Sequence, residues 1–110
     1  MLICEWFDPD AMPNRAYVKG RNFEYRVRDQ LRKDGFVVLR QAKSSFPDLY
    51  AIRFGNDLRH DIRIVECRVD GYLSPRERYE MLHMAARIGA TPMVALRKGR
   101  RLVLEVLKES

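Results

Sequence analysis

The stretch Asp48-Leu49-Tyr50-Ala51-Ile52-Arg53-Phe54-Gly55-Asn56-Asp57-Leu58-Arg59-His60-Asp61-Ile62-Arg63-Ile64-Val65-Glu66-Cys67-Arg68 decides how this chain folds. Two runs rich in β-branched and aromatic residues, Asp48 to Phe54 and Asp61 to Val69, flank a Gly55-Asn56-Asp57 turn signal, which predicts a β-hairpin. With the turn centred on Asp57, Ile52 faces Ile62, Tyr50 faces Ile64 and Asp48 faces Glu66. On the other sheet face Arg53 meets Asp61, an opposite-charge cross-strand pair. This register gathers Asp48, Tyr50, Ile52, Phe54, Ile62, Ile64, Glu66 and Arg68 on one face, apolar near the turn and charged at the open end. A slip of one residue would send Asp48 to the face opposite Glu66.

Upstream of the hairpin, Lys19 to Asp34 reads as a helix, with Phe23, Val27 and Leu31 recurring every four residues and Gly35 as its left-handed cap. Phe36 to Arg40 reads as a short strand and Gln41 to Pro47 as a loop. Downstream, Ser74 is an N-cap, Pro75 takes the first helical position and Glu77 completes a Ser-x-x-Glu capping box. Leu82, Ala85 and Ala86 are expected on the inner face of this second helix, which Gly89 ends. Met81, Leu82 and Met84 fit either core or a dimer surface. Thr91 to Arg97 and Arg101 to Leu107 read as strands around a Lys98-Gly99-Arg100 turn. The order αβββαββ predicts a small α/β domain with a mixed sheet. Residues 1–18, broken by Pro9, Pro13 and Asn14, are expected to be an irregular leader, and residues 19–110 the domain.

Composition narrows the function. The chain has 110 residues, 46% hydrophobic and 33% charged, enough for one core under a charged surface. No apolar run approaches the roughly 20 residues of a membrane span. The start of the chain lacks a signal-peptide pattern, and Cys4 and Cys67 make no disulfide framework, so a cytoplasmic setting is expected. His60 and His83 are the only histidines, too few for a zinc finger. The net charge of +6 is uneven: residues 1–14 carry −3, residues 15–43 carry +6 and residues 44–110 carry +3. A basic concentration of this kind suits a polyanionic partner, because neutralised phosphates release counterions; it also suits a solvated helix face.

Two carboxylates side by side, Asp48 and Glu66, repel unless a cation lies between them, and oxygen ligands of this kind suit Mg²⁺ or Mn²⁺. Such an ion activates water and holds a phosphodiester oxygen. The same residues also fit ordinary strand-end charges paired in salt bridges.

The segments Lys19-Gly20-Arg21-Asn22-Phe23-Glu24-Tyr25-Arg26, Gly35-Phe36-Val37-Val38-Leu39-Arg40, Ser44-Ser45-Phe46-Pro47-Asp48-Leu49-Tyr50-Ala51 and Ile64-Val65-Glu66-Cys67-Arg68 together resemble the archaeal-type Holliday junction resolvases, also carried by some viruses and phages. Tyr72-Leu73-Ser74 and Gly89-Ala90-Thr91-Pro92-Met93-Val94-Ala95 fit the same pattern. The resemblance runs from about Lys19 to Leu107. It implies a restriction-endonuclease-like fold of the PD-(D/E)xK nucleases, and a homodimer that binds four-way DNA and cuts two opposed strands with Mg²⁺, Mn²⁺ substituting. No organic cofactor is implied, and the setting would be cytoplasmic, on nucleoid or viral DNA.

By motif position, Glu24, Asp48 and Glu66 match the family's acids and would be both catalytic and metal-binding, while Ser44 or Ser45 matches the loop serine near the scissile phosphate. Ser45 is carried as the catalytic one, with Lys19, Gly20, Arg21, Arg26, Arg40, Lys43 and Ser44 as DNA contacts. Arg68 stands where the family has lysine. Arginine stays protonated, so it would hold a phosphate oxygen or steady transition-state charge rather than activate water. That departure leaves open a nuclease, a catalytically weakened one, or a branched-DNA binder that no longer cuts. A protein-interaction module with merely solubilising charges is the reading from another class.

Overall fold

A computed structural model describes residues 15–41, 46–55 and 59–108, with side chains from Arg21 onward. The elements are α1 (Arg15–Lys33), β1 (Val37–Arg40), β2 (Leu49–Phe54), β3 (His60–Cys67), α2 (Pro75–Ile88), β4 (Thr91–Lys98) and β5 (Arg101–Val106). The order αβββαββ is the one the sequence predicts. The first helix begins at Arg15, four residues before the expected Lys19.

The strands form one sheet in the order β1-β2-β3-β4-β5. All neighbours are antiparallel except β3 and β4, which run parallel. A parallel pair cannot be closed by a tight turn, and α2 makes the crossover. The β2–β3 register is the expected one: Tyr50 pairs with Ile64, Ile52 with Ile62 and Arg53 with Asp61. Arg53 Nε lies 3.2 Å from Asp61 Oδ2, so the cross-strand ion pair forms.

Strand alternation then divides the core into two layers. On one face, Phe23, Val27 and Leu31 of α1 pack with Phe36, Val38, Leu49, Ala51, Val65, Met93 and Ala95. Gly35 (φ 93°) closes α1 with the Phe36 N–H donating back to Leu31 O at 3.1 Å, which turns Phe36 into this core. On the other face, Ile64 packs with Met81 and Ala85 of α2, flanked by Tyr50, Leu73 and Met84. The inner stripe of α2 is therefore Met81, Met84 and Ala85 rather than Leu82, Ala85 and Ala86; Ala86 is exposed. Positions 81, 84 and 85 fall on one stripe of a 3.6-residue helix, and 82 and 86 sit about a hundred degrees round from 81 and 85. Among the described residues, no helix is long and apolar enough to cross a membrane.

The turn from β3 into α2 depends on Gly71. Its N–H donates to Arg68 O at 2.8 Å, its φ is +75°, and a Cβ there would lie 3.1 Å from Leu96 Cδ1. Gly71→Ala is expected to cost about 1–2 kcal/mol from the left-handed backbone alone, read as a lowered urea midpoint at unchanged m-value.

Candidate active site

The open end of the β2–β3 hairpin holds the two strand acids. Asp48 immediately precedes β2, and Glu66 is the next-to-last residue of β3. They are locked reciprocally through the backbone: the Asp48 N–H donates to Glu66 Oε1 at 3.2 Å, and the Cys67 N–H donates to Asp48 Oδ2 at 2.8 Å. Asp48 O also accepts from the Gln41 N–H at 3.0 Å, which ties the end of β1 to the same place. Glu66 is the one charged residue among the described residues that is buried, at 4% exposure. Burial, then the neighbouring Asp48 carboxylate, push its pKa up to about 8, against the pull of Arg68. A carboxyl held this uncomfortably beside a second one is a donor pair for a hard divalent cation.

Arg68 reaches back over Glu66. Its Nη2 donates to Glu66 Oε2 at 2.7 Å and its Nε to the same oxygen at 3.1 Å. The same Nη2 also donates to Glu77 Oε2. Glu77 is fixed in turn by the capping box of α2: its Oε1 accepts from the Ser74 N–H, and its own N–H donates to Ser74 Oγ, both at 3.1 Å. Burial opposes the Arg68 charge, but the hydrogen bonds to Glu66 and Glu77 outweigh it and raise its pKa. The backbone bond to Ser74, followed by the Arg68 guanidinium, keeps Glu77 below the usual carboxylate range.

Glu24 comes from the other layer. It sits on α1 and accepts a hydrogen bond from Arg40 Nε at 2.7 Å, with both side chains half-buried. Cys67 faces the α1 layer, as its place in the strand predicts, and its thiol pKa is raised first by burial and then by the charges of Asp48, Glu24 and Glu66. All three acids therefore act on one strand end, but Asp48, Glu66 and Arg68 are joined by hydrogen bonds while Glu24 is engaged with Arg40. Among the described residues, no group of three or more His, Cys, Asp or Glu side chains is placed to hold a metal ion. The donor set that fits is the Asp48–Glu66 pair, since Mg²⁺ is commonly held by one or two carboxylates and completes its octahedron with water and phosphate oxygens.

The expected DNA-contacting residues are dispersed. Arg40 is half-buried on Glu24. Arg26 donates to Arg100 O at 2.7 Å, at the β4–β5 turn. Arg21 is half-buried on α1. Gly20 falls inside α1, where the backbone is helical. Lys43, Ser44 and Ser45, like residues 1–14, lie outside the described residues, as does the Lys19 side chain. Two residues of the site were not singled out from sequence. Glu77 reads from sequence only as a helix cap, and nothing in the spacing of Glu66-Cys67-Arg68 points to it as the second partner of the arginine. Tyr50 was placed on the correct face without its role: its hydroxyl accepts from Gln41 Nε2 at 2.9 Å, bracing the loop side of Asp48.

A profile of the archaeal Holliday junction resolvase (Hjc) matches residues 15–109. The crossover junction endodeoxyribonuclease Hjc of Methanocaldococcus jannaschii is 29% identical over 85 residues, 74% of this chain and 60% of that protein. The chain thus spans about 60% of the length of that curated relative. The solved structure of Hjc from Archaeoglobus fulgidus, described as a Holliday junction resolvase, superposes with a TM-score of 0.62 at 30% identity, covering 81% of this chain and 73% of the other. With a five-stranded mixed sheet in the order αβββαββ and a profile match over most of its length, the chain belongs to the archaeal Hjc Holliday junction resolvase family of restriction-endonuclease-like nucleases.

Proposed function

We propose that this protein is a structure-selective endodeoxyribonuclease that resolves four-way DNA junctions as a homodimer with Mg²⁺, or Mn²⁺ in its place. One observation carries the reading: Asp48 and Glu66, eighteen residues apart, interlock through backbone donors at one strand end, with Glu66 buried and its pKa raised.

Asp48 and Glu66 would hold the cation, which supplies the acidity to ionise a water and the charge to hold a phosphate oxygen. Glu24 assists from the α1 side, where Arg40 orients its carboxylate. Arg68, permanently charged, steadies the phosphate as negative charge builds on it. Ser45, with Ser44 beside it, takes the place near the scissile phosphate that the family pattern gives it. In-line attack by water leaves a 5′-phosphate and a 3′-hydroxyl. Lys19, Gly20, Arg21, Arg26, Arg40 and Lys43 track phosphates, so junction geometry rather than base sequence sets selectivity. One such centre per chain means that two symmetric cuts need two copies, which a two-fold dimer supplies.

The engagement of Arg68 with Glu66 and Glu77 favours a second reading, a branched-DNA binder whose cutting is weakened. A labelled four-way junction separates the two. The nuclease gives a salt-sensitive shift in Ca²⁺ and paired, symmetric cuts in Mg²⁺. A shift with no cutting in Mg²⁺ or Mn²⁺ makes it the binder. No salt-sensitive shift at all removes DNA from the account.

A further inference from the structure

The guanidinium of Arg68 bridges two carboxylates that lie on different elements. Glu66, on β3, offers it a single oxygen, Oε2, which receives both Nε and Nη2; the other oxygen is taken by the Asp48 N–H. Glu77, on the first turn of α2, offers Oε2 as well, and its Oε1 is pinned to the Ser74 N–H. Both oxygens of Glu66 are therefore occupied by protein donors, and any cation that takes Glu66 must share Oε2 with Arg68 or take it over. A guanidinium has five N–H donors in a planar fork, whereas an ammonium is a compact point charge; an arginine at this position needs a second acceptor if it is to yield Glu66 Oε2 to a cation and stay in place.

We infer that Glu77 is a positioning residue: it gives Arg68 a second acceptor on the α2 side, so that when a divalent cation takes over Glu66 Oε2 the guanidinium is still held at the site. The inference rests on the reading of Asp48 and Glu66 as a metal pair and adds a residue outside the carboxylates and serines that the family pattern supplies. The helix cap serves two ends at once. The same Glu77 carboxylate that closes the α2 N-terminus receives the Arg68 guanidinium on the side away from Glu66.

Glu77→Gln is the variant that separates these tasks. Glutamine still accepts from the Ser74 N–H and completes the capping box, but it carries no charge to retain Arg68. Mn²⁺ titrated calorimetrically into the full chain without DNA gives a readout independent of cutting. Glu77→Gln is expected to weaken Mn²⁺ binding about tenfold, with the thermal midpoint of the metal-free protein moving little. In an Arg68→Ala background the same change is expected to leave Mn²⁺ affinity unaltered. In junction cutting, Glu77→Gln should raise the Mg²⁺ concentration needed for half-maximal rate more than it lowers the rate at saturation.

Unchanged Mn²⁺ affinity in Glu77→Gln overturns the inference. Equal weakening with and without Arg68 also overturns it, because the Glu77 charge would then act through space and not through the arginine. If the wild-type chain takes up no Mn²⁺, the metal pair itself is wrong, and the role of Glu77 falls with it.

Discussion

Asp48→Asn is expected to abolish cutting of a four-way junction while leaving junction binding intact. Divalent-metal catalysis is worth several kcal/mol of transition-state stabilisation, so loss of one of two carboxylate donors should lower the cleavage rate by about 10³-fold or more. The fold should tolerate the change. Asparagine still offers an oxygen to the Cys67 N–H, which Asp48 Oδ2 now occupies at 2.8 Å, and the Asp48 N–H to Glu66 bond does not depend on the side chain. Binding in Ca²⁺ or without metal should be unchanged or tighter, since one negative charge near the phosphates disappears. Quantified cleavage of a labelled junction, alongside gel shifts at several salt concentrations, checks both halves. A variant that cuts at the wild-type rate would remove Asp48 from the reaction.

The second large effect is a dependence of stability on pH that runs opposite to the common carboxylate case. Glu66 has a pKa near 8 in the folded chain, above its ordinary 4.5, because of burial and the Asp48 charge. Between those two values the folded state binds more protons than the unfolded state, so stability falls as pH rises. The metal-free protein should be most stable near pH 5, lose on the order of a few kcal/mol by pH 8, and fall again only at alkaline pH, where the Cys67 thiol ionises in the unfolded chain before the folded one. Asp61 works in the other direction: although burial alone would raise its pKa, Arg63 and Arg53 hold it below its usual value, and its contribution is lost only as pH falls through the acid range. The interval from 5 to 8 therefore reports Glu66. Denaturant melts at each pH test this. Glu66→Gln should flatten the slope, leaving the metal-free protein more stable than wild type at pH 8 while eliminating cutting. Mg²⁺ added at pH 8 should restore stability to the wild type and not to the variant, because a ligand that binds only the folded state stabilises it by mass action. A wild-type slope that rises from pH 5 to 8 would show that the Glu66 carboxyl is not strained.

Much of this was legible in the chain. The hairpin register followed from one turn signal and one cross-strand pair, Arg53 with Asp61, because a one-residue slip would have broken both the charge match and the burial pattern. The caps at Ser74 and Gly89 placed α2 to the residue, since those positions carry their own hydrogen-bonding chemistry. The rotation of α2 did not follow, because Met81, Leu82, Met84 and Ala85 are all apolar and only packing against Ile64 and Tyr50 selects among them. The start of α1 did not follow either. Asn14, directly before Arg15, is of a type that caps helices, but beside Pro13 it reads equally as a breaker, and Arg15 to Val18 adds no hydrophobic period to decide between the two. At the site, the meeting of Asp48 with Glu66 was readable from register, and the placement of Cys67 on the α1 face from alternation. The bond from Arg68 to Glu77 was not, because it spans a turn and a helix start whose relative placement depends on Gly71 and on docking of α2.

The single parallel pairing in the sheet has a kinetic consequence. β2 and β3 are joined by a short turn and can zip locally, whereas β4 reaches β3 only after the whole of α2 has been laid across the sheet, a longer closure with a larger entropic cost. The Arg68 N–H takes its partner, Ala95 O, from that late-arriving strand, and the Arg97 N–H takes Val69 O. During refolding the two acids would come together in an early hairpin, and the arginine would be set in place by a separate, slower event. Pulse-labelling of amide protons should show Ala51 and Arg63, which face each other across the hairpin, protected before Arg68.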